Sequence, residues 1–149
     1  RAALSFWDAC RAKRCLAGLA LDPEETWAFS RLTSERVRTA AEEDRLIAVG
    51  AGAEVGGMAL RTRVHDYGDG ERIAEYGVGA WQPGSVEAAS ALVDAVRGDA
   101  ARAGADRARV VVPESAAWVT DAASAGARLA NAPDFVLAAD LTEQETQAT

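Results

Sequence analysis

The sequence predicts a mixed α/β (α+β) domain: one central sheet of about six strands, partly antiparallel and partly parallel, with helices on both faces. Three observations carry that expectation. Period-2 apolar runs bounded by Gly/Asp turns fill residues 46–81, as an antiparallel meander requires. A three-and-four-residue apolar repeat follows at once over 86–103, the signature of a long amphipathic helix. The short apolar run Arg109–Val112 then closes a strand–helix–strand unit, which makes a parallel pair.

Taken in order, residues 4–18 read as a helix with Leu4, Trp7, Cys10 and Ala17 along one side, ending at Gly18. Asp22-Pro23-Glu24-Glu25 supplies an N-cap acid, proline at the first helical position and a capping-box glutamate. That spacing predicts a second helix, carrying Trp27, to about Arg31. Thr33 or Ser34 caps a third over 35–43, with Val37 and Ala41 turned inward. Three helices are thus expected before the first strand, and none of residues 1–21 reads as a strand. Leu46–Val49 is a strand, Gly50–Gly52 a turn, and Glu54–Val64 a second strand with a bulge or close backbone approach at Gly56-Gly57. His65–Gly70 is a hairpin loop, and Arg72–Trp81 the third strand.

In the helix after it, Val86, Ala89, Leu92, Val93, Val96 and Ala100 face inward, while Glu87, Asp94, Arg97 and Asp99 face out. Gly104 ends it. Arg109–Val112 reads as buried, Pro113 stops it, and Ser115 caps a short helix over 116–125 that ends at Gly126. Arg128–Asn131 and Phe135–Leu141, turned at Pro133-Asp134, form a closing hairpin. Residues 1–141 are therefore one domain and 142–149 a mobile tail. The chain opens at Arg1 rather than Met, so a longer parent chain is expected.

Charge narrows the function classes. Acidic residues number 23 against 16 basic, and every basic residue except Lys13 is arginine. Net −7 argues against nucleic-acid and anionic-membrane partners, both of which need a basic face. An acidic, lysine-poor, alanine-rich chain suits a halophile; a GC-rich genome is the plainer source of the Arg and Ala bias. No apolar run is long enough to span a bilayer and no signal peptide is visible. Cys10 and Cys15 fall on different sides of a helix, and His65 is the lone histidine, so neither a disulfide framework nor a multi-histidine metal site is expected. Unpaired thiols in a reducing cytoplasm are the reading.

The order of elements resembles the GNAT superfamily of acyl-CoA N-acyltransferases over most of residues 22–141. The resemblance lies in the strand–turn–helix RIAEYGVGAW-QPGS-VEAASALVDAVRGDAARA, in AGADRARVVVP at the approach to the family's fifth strand, and in AASAGARL at the place of its "lGF" segment. It implies a three-layer fold; the family's first strand is then expected upstream in a longer chain, or this domain is the second half of a tandem acyltransferase. It also implies acetyl-CoA as co-substrate, a small-molecule or peptide amine as acceptor, and a homodimer or a covalently linked second domain as partner.

In such a protein Val78, Gly79 and Ala80 would offer a strand edge to the pantetheine arm, and Gly84, Ser85 and Val86 would meet the pyrophosphate. Glu75 would be the general base and Tyr76 a general acid; Ser124 is another acid candidate, since Ala122 stands where the family often has a tyrosine. The residues themselves offer plainer readings. Glu75 is a solvent-facing strand residue, and the glycines of YGVG relieve crowding in a bulged strand. Arg61 and Arg63 form a solvated face, and Trp81 at the turn is a candidate pocket wall. Ser85 stands at the family's first loop glycine and Glu87 at its second. Pro83 removes a donor, Glu87 repels phosphate, and Ser85 as N-cap would occupy an amide. The implied activity is N-acetyl transfer. The alternative is a noncatalytic GNAT-like domain serving as structural or ligand-sensing partner of another domain.

Overall fold

The computed structural model describes residues 1–12, 19–22, 28–66, 68–112 and 116–128, with side chains described except at 10–12, 19–22, 28–31 and 116–119. Its elements run α1 (Ala2–Ala12), β1 (Leu19–Asp22), β2 (Ala28–Arg31), α2 (Ser34–Glu42), β3 (Leu46–Val49), β4 (Gly57–Asp66), β5 (Arg72–Trp81), α3 (Val86–Arg102), β6 (Arg107–Val110) and α4 (Ala116–Ser124). Strands β3-β4-β5-β6 form a mixed sheet, antiparallel except for the parallel β5–β6 pair, and β1-β2 form a separate two-stranded one. The chain is therefore a mixed α+β domain. The described residues hold four strands in the main sheet; the expected hairpin at 128–141 and the tail lie outside them, apart from Arg128.

The N-terminal third departs most from expectation. Strands β1 and β2 pair antiparallel from Leu19↔Arg31 to Asp22↔Ala28, where a helix was expected over 22–31 and no strand before 22. Asp22 ends a strand, and residues 23–27, the expected start of the helix, lie outside the described part. At Ala28–Arg31, long-range strand pairing and packing override the local helical preference. Helix α2 keeps its Thr33 cap, whose hydroxyl accepts from Arg36 N at 3.2 Å. Its inward residues are Val37 and Ala40 rather than Ala41.

Helix α3 contacts all four strands of the main sheet and so packs across it, and α1 contacts β4 and β5. Met58, Leu60, Tyr76, Val78, Ala80, Leu92 and Val96 form the core with Trp7 and Val37. Gly56-Gly57 is a close approach rather than a bulge: a methyl on Gly57 would lie 3.0 Å from Val49 Cγ2. The register irregularities fall later, around Gly77 on β5 and Thr62 on β4, as Leu60↔Val78, Arg61↔Tyr76 and Arg63↔Glu75 show. β4 also runs on to Asp66, through the expected start of the hairpin loop. The parallel pairing of β6 was expected. The strand was expected at 109–112 and buried; it lies at Arg107–Val110 instead, with Arg107 and Ala108 exposed and Arg109 and Val110 half-buried. Gly104 and Gly126 end their helices with φ of +73° and +82°, as only glycine does without strain.

Candidate functional site

The turn between β5 and α3 satisfies itself. Gln82 N donates to Gly56 O at 2.9 Å and Ser85 N to Gln82 O at 3.1 Å, while Gly84 adopts φ +82° to reverse the chain. Ser85 is the N-cap, its hydroxyl accepting from Ala88 N at 3.2 Å. The decisive partner comes from α4. Asp121 Oδ2 accepts from Gly84 N at 2.9 Å and from the Trp81 indole Nε1 at 3.0 Å. Asp121 is only 4 % exposed. A resident carboxylate thus takes a backbone donor that a phosphate at this helix start would need. Trp81 is fastened to it rather than lining an open pocket. Nothing in the sequence reading singled out Asp121. The available signal was a lone acid inside the apolar run AAWVTDAAS, since an acid on a mostly apolar helix is either at the surface or paired.

The strand half of the frame is crowded. Val78, Gly79 and Ala80 pair with Leu60, Ala59 and Met58 of β4, and Val78 and Ala80 are buried. On the other side β6 pairs only as far as Tyr76↔Val110, with Val111 N donating to Tyr76 O at 2.9 Å. Among the described residues no strand pairs with Val78–Trp81 on that side. A methyl at Gly79 would lie 2.2 Å from Val110 Cγ1 and 3.1 Å from both Val111 O and Val112 Cγ1. The end of β6 and the residues that follow it thus leave no room for a side chain at Gly79.

Glu75 and Tyr76 are neighbours on one strand and so point to opposite faces of the sheet. Glu75 is not solvent-facing: it is 3 % exposed, with Oε2 2.5 Å from Arg63 Nε and Oε1 3.6 Å from Arg109 Nη1. These arginines sit opposite it on β4 and β6. The Tyr76 hydroxyl donates to Asp99 Oδ2 at 2.7 Å and also lies 3.3 Å from Val96 O. Burial first, then the Asp99 bond, push the Tyr76 hydroxyl far above its usual range. A proton held this firmly serves a general acid poorly.

Asp99, expected on the outer face of α3, is 5 % exposed and also holds Arg61 at 2.8 Å. Arg61 and Arg63 do not form one solvated face. The extra residue Thr62 turns them apart, Arg61 to Asp99 on α3 and Arg63 to Glu75. Ser124 is exposed, Ala122 is half-buried against the core, and His65 lies exposed near the end of β4. Among the described residues no group of three His, Cys, Asp or Glu side chains is placed to hold a metal, and no helix is long and apolar enough to cross a membrane. Cys15 lies outside the described residues.

No family model and no curated protein matches the chain. Two solved structures do: wild-type TTHA1254 from Thermus thermophilus, at 20 % identity and a TM-score of 0.54, covering 82 % of this chain and 85 % of that one; and a single-substitution mutant of it, with the same identity and TM-score, covering 81 % and 85 %. At that identity the likeness concerns the fold alone, and this chain shares the mixed α+β fold of TTHA1254.

Proposed function

We propose that this chain is a GNAT-type acyltransferase-like domain without catalysis of its own, acting as a structural or ligand-sensing partner of a second domain. The observation that carries this reading is the Asp121 carboxylate on Gly84 N and Trp81 Nε1. A pyrophosphate at the same turn would meet a buried negative charge and a donor already taken. The candidate acid–base pair supports the same reading, since Glu75 is held by arginines on one face and Tyr76 by Asp99 on the other. Two groups on opposite faces do not converge on one amine and one thioester. An acidic domain of this kind would act in the cytoplasm, beside or covalently joined to its partner.

A second reading, an acetyl-CoA-dependent N-acetyltransferase acting on a small-molecule or peptide amine, draws on the early end of β5–β6 pairing at Tyr76↔Val110. A pantetheine arm would add there as an extra strand. Calorimetric titration of the purified chain with acetyl-CoA, to millimolar concentration and at low and high salt, separates the two. The noncatalytic reading expects no heat beyond dilution. Saturable one-to-one binding overturns it in favour of the enzyme.

A further inference from the structure

We propose that Asp69 is a site of spontaneous backbone modification, its ordinary peptide link to Gly70 converting to an L-isoaspartyl link. The inference stands apart from the functional reading above. Asp69-Gly70 is the one Asp-Gly step in the sequence. It lies in the loop between β4 and β5, beyond the last ladder pair Asp66↔Arg72, and both residues are exposed. Asp69 Oδ1 accepts from Glu71 N at 3.0 Å, a turn that folds the carboxyl back over the peptide joining Asp69 to Gly70. Gly70 has no side chain to block the approach, and a Cβ built there would meet nothing within 4 Å. In the reaction the Gly70 nitrogen attacks Cγ of the protonated carboxyl. The N–Cγ bond forms, and the amide proton and the carboxyl hydroxyl leave as one water, closing a succinimide ring. Solvent water then adds at the main-chain carbonyl and breaks its bond to the Gly70 nitrogen. The chain now runs through Cγ, the former main-chain carbonyl is a free carboxylate, and the atom count is unchanged. Asp66 is a control in the same loop. Its Oδ1 accepts from Gly68 N at 2.8 Å, but Tyr67 follows it, and a β-carbon beside the attacking nitrogen hinders ring closure. Asp99 and Asp121 are buried and followed by alanine.

The test ages the full folded chain at physiological temperature and digests it with trypsin. Cleavage after Arg63 and Arg72 releases residues 64–72, one peptide that carries both Asp66 and Asp69. Chromatography with electron-transfer fragmentation separates and locates the isobaric forms. An L-isoaspartyl carboxyl methyltransferase with S-adenosylmethionine labels the new carboxylate. Isoaspartate should accumulate at residue 69 and not at 66, at a rate comparable to that in the free peptide. Gly70→Ala should slow it several-fold. Because Gly70 sits at φ +81°, alanine there also carries strain, so Asp69→Glu is the second variant. It keeps the charge, its ring would be one atom larger, and the label should be lost. An Asp69 that keeps its ordinary link in the folded chain overturns the proposal, whether or not the free peptide isomerises. Equal conversion at Asp66, or an unchanged rate in Gly70→Ala, overturns it as well.

Discussion

Replacing Glu75 by glutamine removes one negative charge from a site where the carboxylate is 3 % exposed and bracketed by Arg63 and Arg109. The shape is nearly unchanged, so the perturbation is electrostatic. At an effective dielectric near 20, the contact to Arg63 represents about 5 kcal/mol of gross attraction, much of it offset by desolvation of both ions. Removing one partner of a fully buried pair costs about 3–5 kcal/mol. Here the arginine side chains are 26 % and 33 % exposed, and solvent screens part of the loss. The expected destabilisation is therefore about 2 kcal/mol.

For a domain of this size that lowers Tm by roughly 4–8 °C and the urea midpoint by about 1 M. Thermal scans and urea titrations of the two chains side by side read it directly. A Tm within 1 °C of wild type would refute the view that Glu75 is a structural ion-pair member. So would loss of acetyl transfer to an amine at unchanged stability, which would make Glu75 a general base instead.

Three further substitutions probe the same frame. Gly79→Ala should destabilise by about 1–3 kcal/mol, because its methyl would meet Val110 and the Val111 carbonyl, whereas Gly84→Ala meets nothing within 4 Å and bears only backbone strain of about 1–2 kcal/mol; urea midpoints for both variants test the order. Tyr76→Phe loses the Asp99 hydrogen bond and should cost about 1–2 kcal/mol near neutral pH. Because the folded hydroxyl titrates well above its ordinary value near 10, its contribution is fully present below pH 10 and is lost as pH rises beyond that; urea midpoints between pH 8 and 11 should fall more steeply for wild type than for Tyr76→Phe.

The elements legible in the residues were those whose signals are local. Leu46–Val49 and Arg72–Trp81 stand at their expected bounds, and Val86–Arg102 ends one residue short, since alternation, Gly/Pro turns and the three-four repeat all act within a few residues. The turn's self-sufficiency was half legible too: Ser85 caps the helix as its position predicts.

The rest was decided by partners distant in sequence. The pairing of Leu19–Asp22 with Ala28–Arg31 makes a strand of residues 28–31, which the local pattern assigned to a helix, because long-range pairing and packing outweigh local propensity. The extra residue Thr62 sent Arg61 and Arg63 to different partners, and alternation alone places them on one face. Asp99 read as a surface acid and Asp121 carried no assignment, yet Asp99 lies buried against Arg61 and Tyr76, 38 and 23 residues away, and Asp121 against Gly84 and Trp81, 37 and 40 residues away. A carboxylate shows in the sequence as a charge; whether it faces water or meets an arginine, a tyrosine or an indole depends on which segments the fold brings against it. The sequence by itself determined a strand–turn–helix frame with a poor phosphate turn, and only the tertiary structure decided that a carboxylate from α4 occupies it, because that contact joins residues no local pattern connects.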